Sequence, residues 1–423
     1  MIQKPKGTYD VFGKNSKKII YFENLFREVM SKYNYEYFRT PIFEASELFH
    51  RGVGETTDIV SKETFNFKDK SDRDMTLRPE GTAGIVRSFI ENKYYSNPSM
   101  PVKIWYMGPM FRYERPQAGR YREFYQCGVE VFGSNDPLVD AEVISIPVNI
   151  YKLLGFNGIK VNINTLGDTE SRLNYKKALL DYFKPHINDL CEDCKARYEK
   201  NPLRILDCKV DASKSIMDNA PKIKDNLTEE SLQHFEMVCK YLDSMGIEYV
   251  IKENLVRGLD YYTHTVFEVE ANIKKFGSQN VLCGGGRYNG LVSTLDGPDM
   301  PGVGFAIGIE RTLLALDYEN INLIDEDGLD IYISYMSENE KAFAMNLVNI
   351  LRLSGFKTDL DLIGRNIKNN FKQAERLKAK YVIIIGEEEI KNNILTIKNN
   401  ISYEEHKIKF DDLIEFFDTN ISE

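Results

Sequence analysis

The stretch Lys103–Phe132, KIWYMGPMFRYERPQAGRYREFYQCGVEVF, concentrates groups able to hold a polar substrate. Two alternating segments flank a loop of charged and turn residues (Glu114, Arg115, Pro116, Gln117, Ala118, Gly119, Arg120), the pattern of two antiparallel strands. Arg112 ends the first segment and the second starts near Arg122. Strand side chains alternate faces, so Arg122, Phe124, Gln126, Gly128 and Glu130 share one side. A cation, a stacking ring, an amide and a carboxylate in one row suit a polar substrate carrying a flat base better than they suit a core.

Four further strings could do chemistry. In Thr76-Leu77-Arg78-Pro79-Glu80-Gly81-Thr82, Thr82 is placed to cap a helix starting near Ala83, with Glu80 at its positive end. The same Glu80 and Thr82 could instead accept from a substrate ammonium. In Leu255-Val256-Arg257-Gly258-Leu259-Asp260-Tyr261-Tyr262-Thr263, the arginine fork suits phosphate or carboxylate and the tyrosines supply hydroxyls. The three glycines of CGGGRYNG (Cys283–Gly290) leave room where a pocket wall comes close to a bound molecule. GVGFAIGIERTLLAL only mimics GxGxxG, with the wrong spacing for a dinucleotide site; its Arg311 falls at a helix start, which favours phosphate. There is no P-loop. Near the end of the chain, Arg365, Lys368, Lys372 and Arg376 recur at steps of three and four and make one basic helical face, either simply solvated or ready for a phosphate backbone.

The elements that must position these groups are readable in outline. Apolar residues from Ser16 to Tyr33 recur at helical spacing, and an extended stretch, Glu36–Glu44, follows with Pro41 at an edge or bulge. From Leu166 to Glu248 the chain is rich in Lys, Asp, Glu and Leu at helical spacing, which predicts a helical insertion. Strand-like runs return at 250–251, 263–269 and 281–284, and GVGFAIGIE feeds a helix from about Glu310. After an acidic linker, INLIDEDG, strands and helices alternate through DIYISYM, KTDLDL and YVIIIG, which predicts a small sheet with a parallel core.

With 423 residues the chain is too long for one core, so two or three domains are expected. A hydrophobic fraction of 42% with 28% charged residues is that of a soluble protein. No signal-like segment and no apolar run near the roughly 18 residues of a membrane span are present, so a cytoplasmic protein that meets no membrane is expected. A net charge of −9 gives no support to nucleic-acid binding but does not exclude a local basic face. Cys191-Glu-Asp-Cys194 and Cys208 invite a zinc reading, yet neither Cys239 nor a histidine completes four ligands. Plain reduced thiols, and no metal on protein ligands, are therefore expected.

FRYERPQAGRYREFYQ resembles motif 2 of the class II aminoacyl-tRNA synthetases, and in detail the histidyl branch of that family. TLRPEGT, RGLDYY and CGGGRYNG resemble strings of the same branch, GVGFAIGIERTLLAL resembles motif 3, and the first helix with its proline-bearing strand resembles motif 1. The resemblance runs along nearly the whole chain. It implies an α+β catalytic domain with a mainly antiparallel sheet (1–325), a helical insertion within it (166–248), and a small α/β anticodon-binding domain (326–423). It implies a homodimer that joins L-histidine to histidine tRNA through histidyl-adenylate, using ATP and Mg²⁺.

The resemblance also implies roles. Arg112 and Arg257 would be catalytic, clamping the α-phosphate and the histidine carboxylate. Glu80, Gly81, Thr82 and Gln126 would surround the ammonium. Glu130 and Tyr262 would face the two imidazole nitrogens, and Tyr261 would line the pocket. Phe124 would stack on adenine, with Glu114 and Arg311 holding the phosphates. Arg115 and Gln117 would read the tRNA acceptor end, and Arg365, Lys368, Lys372 and Arg376 the anticodon stem-loop. The alternative is the non-catalytic, histidine-sensing regulatory subunit of ATP phosphoribosyltransferase. That relative generally lacks the C-terminal domain and the catalytic arginines, which this chain keeps.

Overall fold

The computed structural model describes all residues except 55–56, 207, 209, 212, 274–279, 324–327 and 422–423. The chain divides into two compact units, Met1–Leu323 and Ile324–Glu423. Residues 324–327 of the acidic linker, and with them the boundary expected at 325–326, lie outside the described residues.

An eight-stranded sheet organises the first unit. Its order is β1 (Glu36–Tyr37), β5 (Val102–Phe111), β6 (Glu123–Phe132), β11 (Gly302–Gly308), β10 (Val281–Arg287), β9 (Thr263–Ala271), β7 (Ile159–Thr165) and β8 (Tyr249–Ile251). The two edge pairs, β1–β5 and β7–β8, are parallel and every pair between them is antiparallel. A separate antiparallel sheet joins β2 (Phe43–Ala45), β4 (Asp74–Leu77) and β3 (Phe65–Lys68). Pro41 lies between β1 and β2, outside both ladders, as its missing N–H requires.

The β5–β6 hairpin is in register from Val102 opposite Phe132 to Phe111 opposite Glu123. Cys127, Val129 and Val131 of β6 enter the main core, so Phe124, Gln126, Gly128 and Glu130 are left for the other face. Four helices cover the core side: Lys14–Lys32, Pro137–Leu153, Glu229–Ser244 and Ile309–Tyr318. Helix Pro137–Leu153 is the central one, and the sequence reading does not contain it. It buries residues on all sides, among them Ala141, Ile144, Ile146 and Tyr151, so it shows no amphipathic stripe, and it carries Pro147 in its interior.

The helical insertion leaves after β7 and returns at β8. Its first part closes around its own apolar cluster, including Tyr175, Leu179, Phe183, Cys194 and Ile205. Its last helix, Glu229–Ser244, instead sends Phe235, Val238 and Leu242 into the main core. One continuous stretch thus serves two cores.

A fully buried ion pair joins the end of β10 to helix Pro137–Leu153. Arg287, the last residue of β10, donates through Nε to both oxygens of Asp140, each at 3.1 Å, and through Nη1 to the Ser134 carbonyl at 2.8 Å. His234 Nε2 stands 3.4 Å from the same carboxylate. Burial alone would raise the Asp140 pKa, but Arg287 and His234 hold it well below the usual carboxylate range.

The second unit is a five-stranded sheet ordered β13 (Thr358–Leu360), β12 (Ile331–Tyr335), β14 (Tyr381–Ile385), β15 (Ile394–Asn399) and β16 (Glu405–Lys409). Strands β13, β12 and β14 are the expected parallel core; β15 and β16 extend it as an antiparallel hairpin. The hairpin escapes sequence reading because β16, Glu-His-Lys-Ile-Lys, is an edge strand with one apolar residue.

The basic face needs one correction. Its helix is Ile367–Arg376, capped by Asn366, so Arg365 precedes it. The Arg365 guanidinium is 2.7 Å from the buried Asp361 carboxylate. Lys368, Lys372 and Arg376 are exposed on the helix.

Replacing Arg287 by Met leaves the buried Asp140 carboxylate with His234 alone beside it among the groups named. The expected loss is about 3–5 kcal/mol in urea denaturation; a change below about 1 kcal/mol would contradict a structural role for this pair.

Candidate active site

On the sheet face away from the four helices lies a cavity of about 200 Å³. Glu80, Gly81 and Thr82 reach it from the start of helix Thr82–Glu91, Gln126 and Glu130 from β6, and Arg257, Tyr261 and Tyr262 from the loop before β9. Arg112, Glu114, Phe124 and Arg311 line it too. The fold therefore brings together the residues that the strings suggested for an amino acid and a nucleotide, although they span 232 positions (80 to 311).

Glu130 is the most constrained of them. Its carboxylate is buried and accepts from Thr82 Oγ1 at 2.7 Å and from the Tyr288 hydroxyl. It fits because residue 304 on the paired strand β11 is glycine: a Cβ there would overlap Glu130 Oε2. Burial outweighs both hydroxyl donors and pushes the Glu130 pKa up to about 8.

The helix start differs from expectation. Thr82 does not cap it; the Glu80 carboxylate accepts from the N–H groups of Thr82 at 2.6 Å and Ala83 at 2.8 Å. The Thr82 hydroxyl is thereby free to serve Glu130. Burial raises the Glu80 carboxyl above its ordinary value, against those two backbone donors.

Arg257 lies across the floor. Its Nη1 pairs with Glu268 of β9, while its guanidinium occupies the space that a side chain at position 284 would need. The room made by the first glycine of CGGGRYNG is thus filled by the chain's own arginine. Burial disfavours the charge on Arg257, and Glu268 more than offsets it. Among the described residues, four buried atoms of the cavity lining, the Tyr106 hydroxyl oxygen, Arg120 Nε, Gln126 Oε1 and Arg257 Nε, have no hydrogen-bond partner.

The other end of the cavity is cationic. Arg112 donates from Nε to the Pro79 carbonyl at 2.8 Å and stands 5.3 Å from the centre of the Phe124 ring. Arg311 donates to the Val281 carbonyl at 2.9 Å. Arg120 pairs with Glu114 at 2.9 Å. Burial and the neighbouring Arg120 push the Arg311 pKa down, a cost that a bound anion would relieve.

Three expectations place residues elsewhere. Arg115 and Gln117 are exposed in the hairpin loop and do not line the cavity. Arg122 precedes β6, and its guanidinium lies 3.7 Å from the Tyr113 ring centre rather than continuing the row. Arg365, Lys368, Lys372 and Arg376 belong to the second unit. Sequence reasoning missed Tyr288, Arg120 and Glu268 as members of the site. The first two stand inside the strings CGGGRYNG and FRYERPQAGRYREFYQ, so proximity to those strings was the available signal.

A mainly antiparallel sheet that floors a cavity with an amino-acid-sized polar end and an arginine-rich end is the catalytic architecture of a class II aminoacyl-tRNA synthetase. The family model described as Histidyl-tRNA synthetase matches residues 7–312, and one described as Anticodon binding domain matches 330–420. The chain is 51% identical over 418 residues to the histidine–tRNA ligase of Staphylococcus aureus, covering 99% of this chain and all of that protein. The crystal structure of the apo S. aureus histidyl-tRNA synthetase superposes with a TM-score of 0.86 at 46% identity, covering 99% and 100% of the two chains. A Nostoc histidyl-tRNA synthetase shares the fold at a TM-score of 0.70 and 19% identity, with both chains fully covered. The chain belongs to the histidyl-tRNA synthetase family. Synthetases of this class are ligases that use ATP.

The raised Glu130 pKa has a signed consequence. Native Glu130 keeps a proton that the unfolded chain releases above the ordinary 4.5, so this group's stabilising share is lost as pH rises from about 4.5 to about 8. Thermal melting of the unliganded protein across that window is expected to fall more steeply in wild type than in Glu130→Gln. Parallel profiles would contradict it.

Proposed function

We propose that the chain joins L-histidine to histidine tRNA in two steps within this cavity. The histidine carboxylate attacks the α-phosphorus of ATP; the new O–P bond forms as the bond to pyrophosphate breaks, giving histidyl-adenylate. The terminal ribose hydroxyl of the tRNA then attacks the activated carbonyl and AMP leaves. The observation that carries this reading is that four buried polar atoms of the cavity lining, the Tyr106 hydroxyl oxygen, Arg120 Nε, Gln126 Oε1 and Arg257 Nε, have no hydrogen-bond partner among the described residues.

The first step builds negative charge between carboxylate and phosphate, so positioned cations serve it better than a proton-transfer group. Arg257, held by Glu268, and Arg112, held by Pro79, clamp that charge from two sides. Phe124 offers a face to adenine, with Arg112 against the same ring. Arg311 takes the terminal phosphates. Glu114 places a carboxylate at the cationic end, which suits Mg²⁺, an ion bound by one or two carboxylates plus substrate phosphates. When bound, Mg²⁺ would neutralise phosphate charge.

At the other end Gln126, Glu80 and Thr82, with the open Gly81 backbone, surround the ammonium. Glu130 meets one imidazole nitrogen and Tyr262 the other, with Tyr261 beside them. Such a donor–acceptor set rejects side chains that leave it unpaired. Residues 1–325 form the catalytic domain, with the insertion at 166–248, and 326–423 bind the anticodon. There Lys368, Lys372 and Arg376 face tRNA phosphates, while Arg115 and Gln117 meet the acceptor end. Ile42, Phe43 and Phe67 expose apolar side chains around the short strands, which supports a homodimer. Among the described residues no helix is long and apolar enough to cross a membrane, and a cytoplasmic location fits the reduced cysteines. The regulatory reading is disfavoured by the arginines at the cavity and by the second unit.

Histidine-dependent ATP–pyrophosphate exchange without tRNA tests the proposal. Wild type is expected to exchange with histidine alone among the amino acids, and Arg257→Ala to lose roughly 10²–10³-fold. Binding of histidine without exchange would favour the regulatory reading. Reversing the charge of Lys368, Lys372 and Arg376 together is expected to lower tRNA charging while leaving exchange intact; equal loss of both would contradict the anticodon role.

A further inference from the structure

The insertion holds a cluster that the synthetase reaction does not use. Cys191, Cys194, Cys208 and Asp211 bring one donor atom each to within 4.8 Å of one another, and no other such group occurs among the described residues. We propose that these four side chains form a closed structural zinc site.

The spacing carries the first part of the argument. Cys191-x2-Cys194 is repeated as Cys208-x2-Asp211, so two short knuckles face each other across a gap in the sequence. The fourth donor, absent from the cysteines and histidines, is a carboxylate in the position a second cysteine would take. Three thiolates and one carboxylate suit zinc, a tetrahedral, borderline-soft ion that takes S, N and O ligands.

The geometry agrees. Zn–S bonds of about 2.3 Å at tetrahedral angles separate two sulfurs by roughly 3.8 Å. Cys191 Sγ and Cys208 Sγ are 3.7 Å apart, and Cys208 Sγ is 3.8 Å from Asp211 Oδ2. The surroundings are those of ligands held in place: the Asp211 N–H points at Cys208 Sγ at 3.4 Å, and the Cys191 N–H donates to Asp211 Oδ2 at 3.0 Å. Lys214, 2.7 Å from Asp211 Oδ1, offsets part of the negative charge that such a ligand set carries. Cys194 and Asp211 are fully buried and Cys208 nearly so. Lys214 and one backbone N–H answer only part of the charge of a buried carboxylate set beside three thiols, and a metal ion would answer the rest.

The place of the cluster gives the ion a purpose. Cys191 immediately precedes helix Glu192–Lys200, and the chain just beyond that helix braces the catalytic loop. Asn201 donates to Asp260 at 3.1 Å and Arg204 to the Arg257 carbonyl at 3.3 Å. Tying both knuckles together fixes the two ends of that brace.

The test uses the full chain, purified without chelator, stripped, and dialysed against Zn²⁺. One zinc per chain is expected by elemental analysis, with Cys191, Cys194 and Cys208 protected from alkylation until chelator is added. Co²⁺ in its place is expected to give sulfur-to-cobalt charge-transfer absorption and the d–d bands of a tetrahedral site. Asp211→Asn is expected to weaken zinc by at least the roughly 10–100-fold that loss of an outer-shell partner costs. A wild-type chain that takes up no stoichiometric zinc, or alkylates these thiols equally fast with and without it, would overturn the proposal. So would isolation of a Cys191–Cys208 disulfide from the native protein. The alkylation and cobalt measurements need no variant, so a misfolded Asp211→Asn would not blunt the result.

Discussion

The burial of Glu130 constrains more of this structure than any other interaction. A carboxylate withdrawn from water needs donors, and here they come from two distant parts of the chain, Thr82 at a helix start and Tyr288 beyond β10. Its oxygen fits against β11 because position 304 has no side chain. Thr82 is available because Glu80, rather than Thr82, satisfies the first turn of its helix. Four segments are thereby fixed around one side chain, and its pKa rises to about 8 because burial outweighs both donors.

The rest of the cavity is divided by charge. Carboxylates and hydroxyls gather around Glu130, while Arg112, Arg120 and Arg311 gather at the other end, where their mutual repulsion is only partly answered by Glu114. Arg257 stands across the floor. Glu268 holds one side of its guanidinium, the bare backbone of Gly284 makes room for it, and Nε is left unpaired. An ammonium and a carboxylate–phosphate pair would complete these two halves at once, which is what adenylation of an amino acid supplies.

Much of this was legible in the sequence, for physical reasons that also set the limits. Strand alternation placed Phe124, Gln126 and Glu130 on one face, because the period of two survives as long as the ladder does. It failed at Arg122, which lies outside the ladder and turns to Tyr113. Spacing of three and four placed Lys368, Lys372 and Arg376 together but ran past the cap into Arg365, whose charge is taken by Asp361. Thr82 looked like a cap because its type favours one; the carboxylate two residues earlier competes better. Tyr288 and Glu268 were invisible as partners, since their contacts join strands far apart in sequence. Helix Pro137–Leu153 was invisible because burial around most of its circumference erases the periodicity by which helices are read.

In the proposed function Glu130 recognises the substrate ring, a role distinct from that of the arginines that handle phosphate. Isothermal titration of histidine and of ATP, separately, into wild type and Glu130→Gln tests this division. Histidine is expected to lose roughly 10–100-fold in affinity, the cost of leaving a buried polar group without its partner, while ATP binding is unchanged. Equal histidine affinity in the two proteins, or a matching loss for ATP, would contradict it.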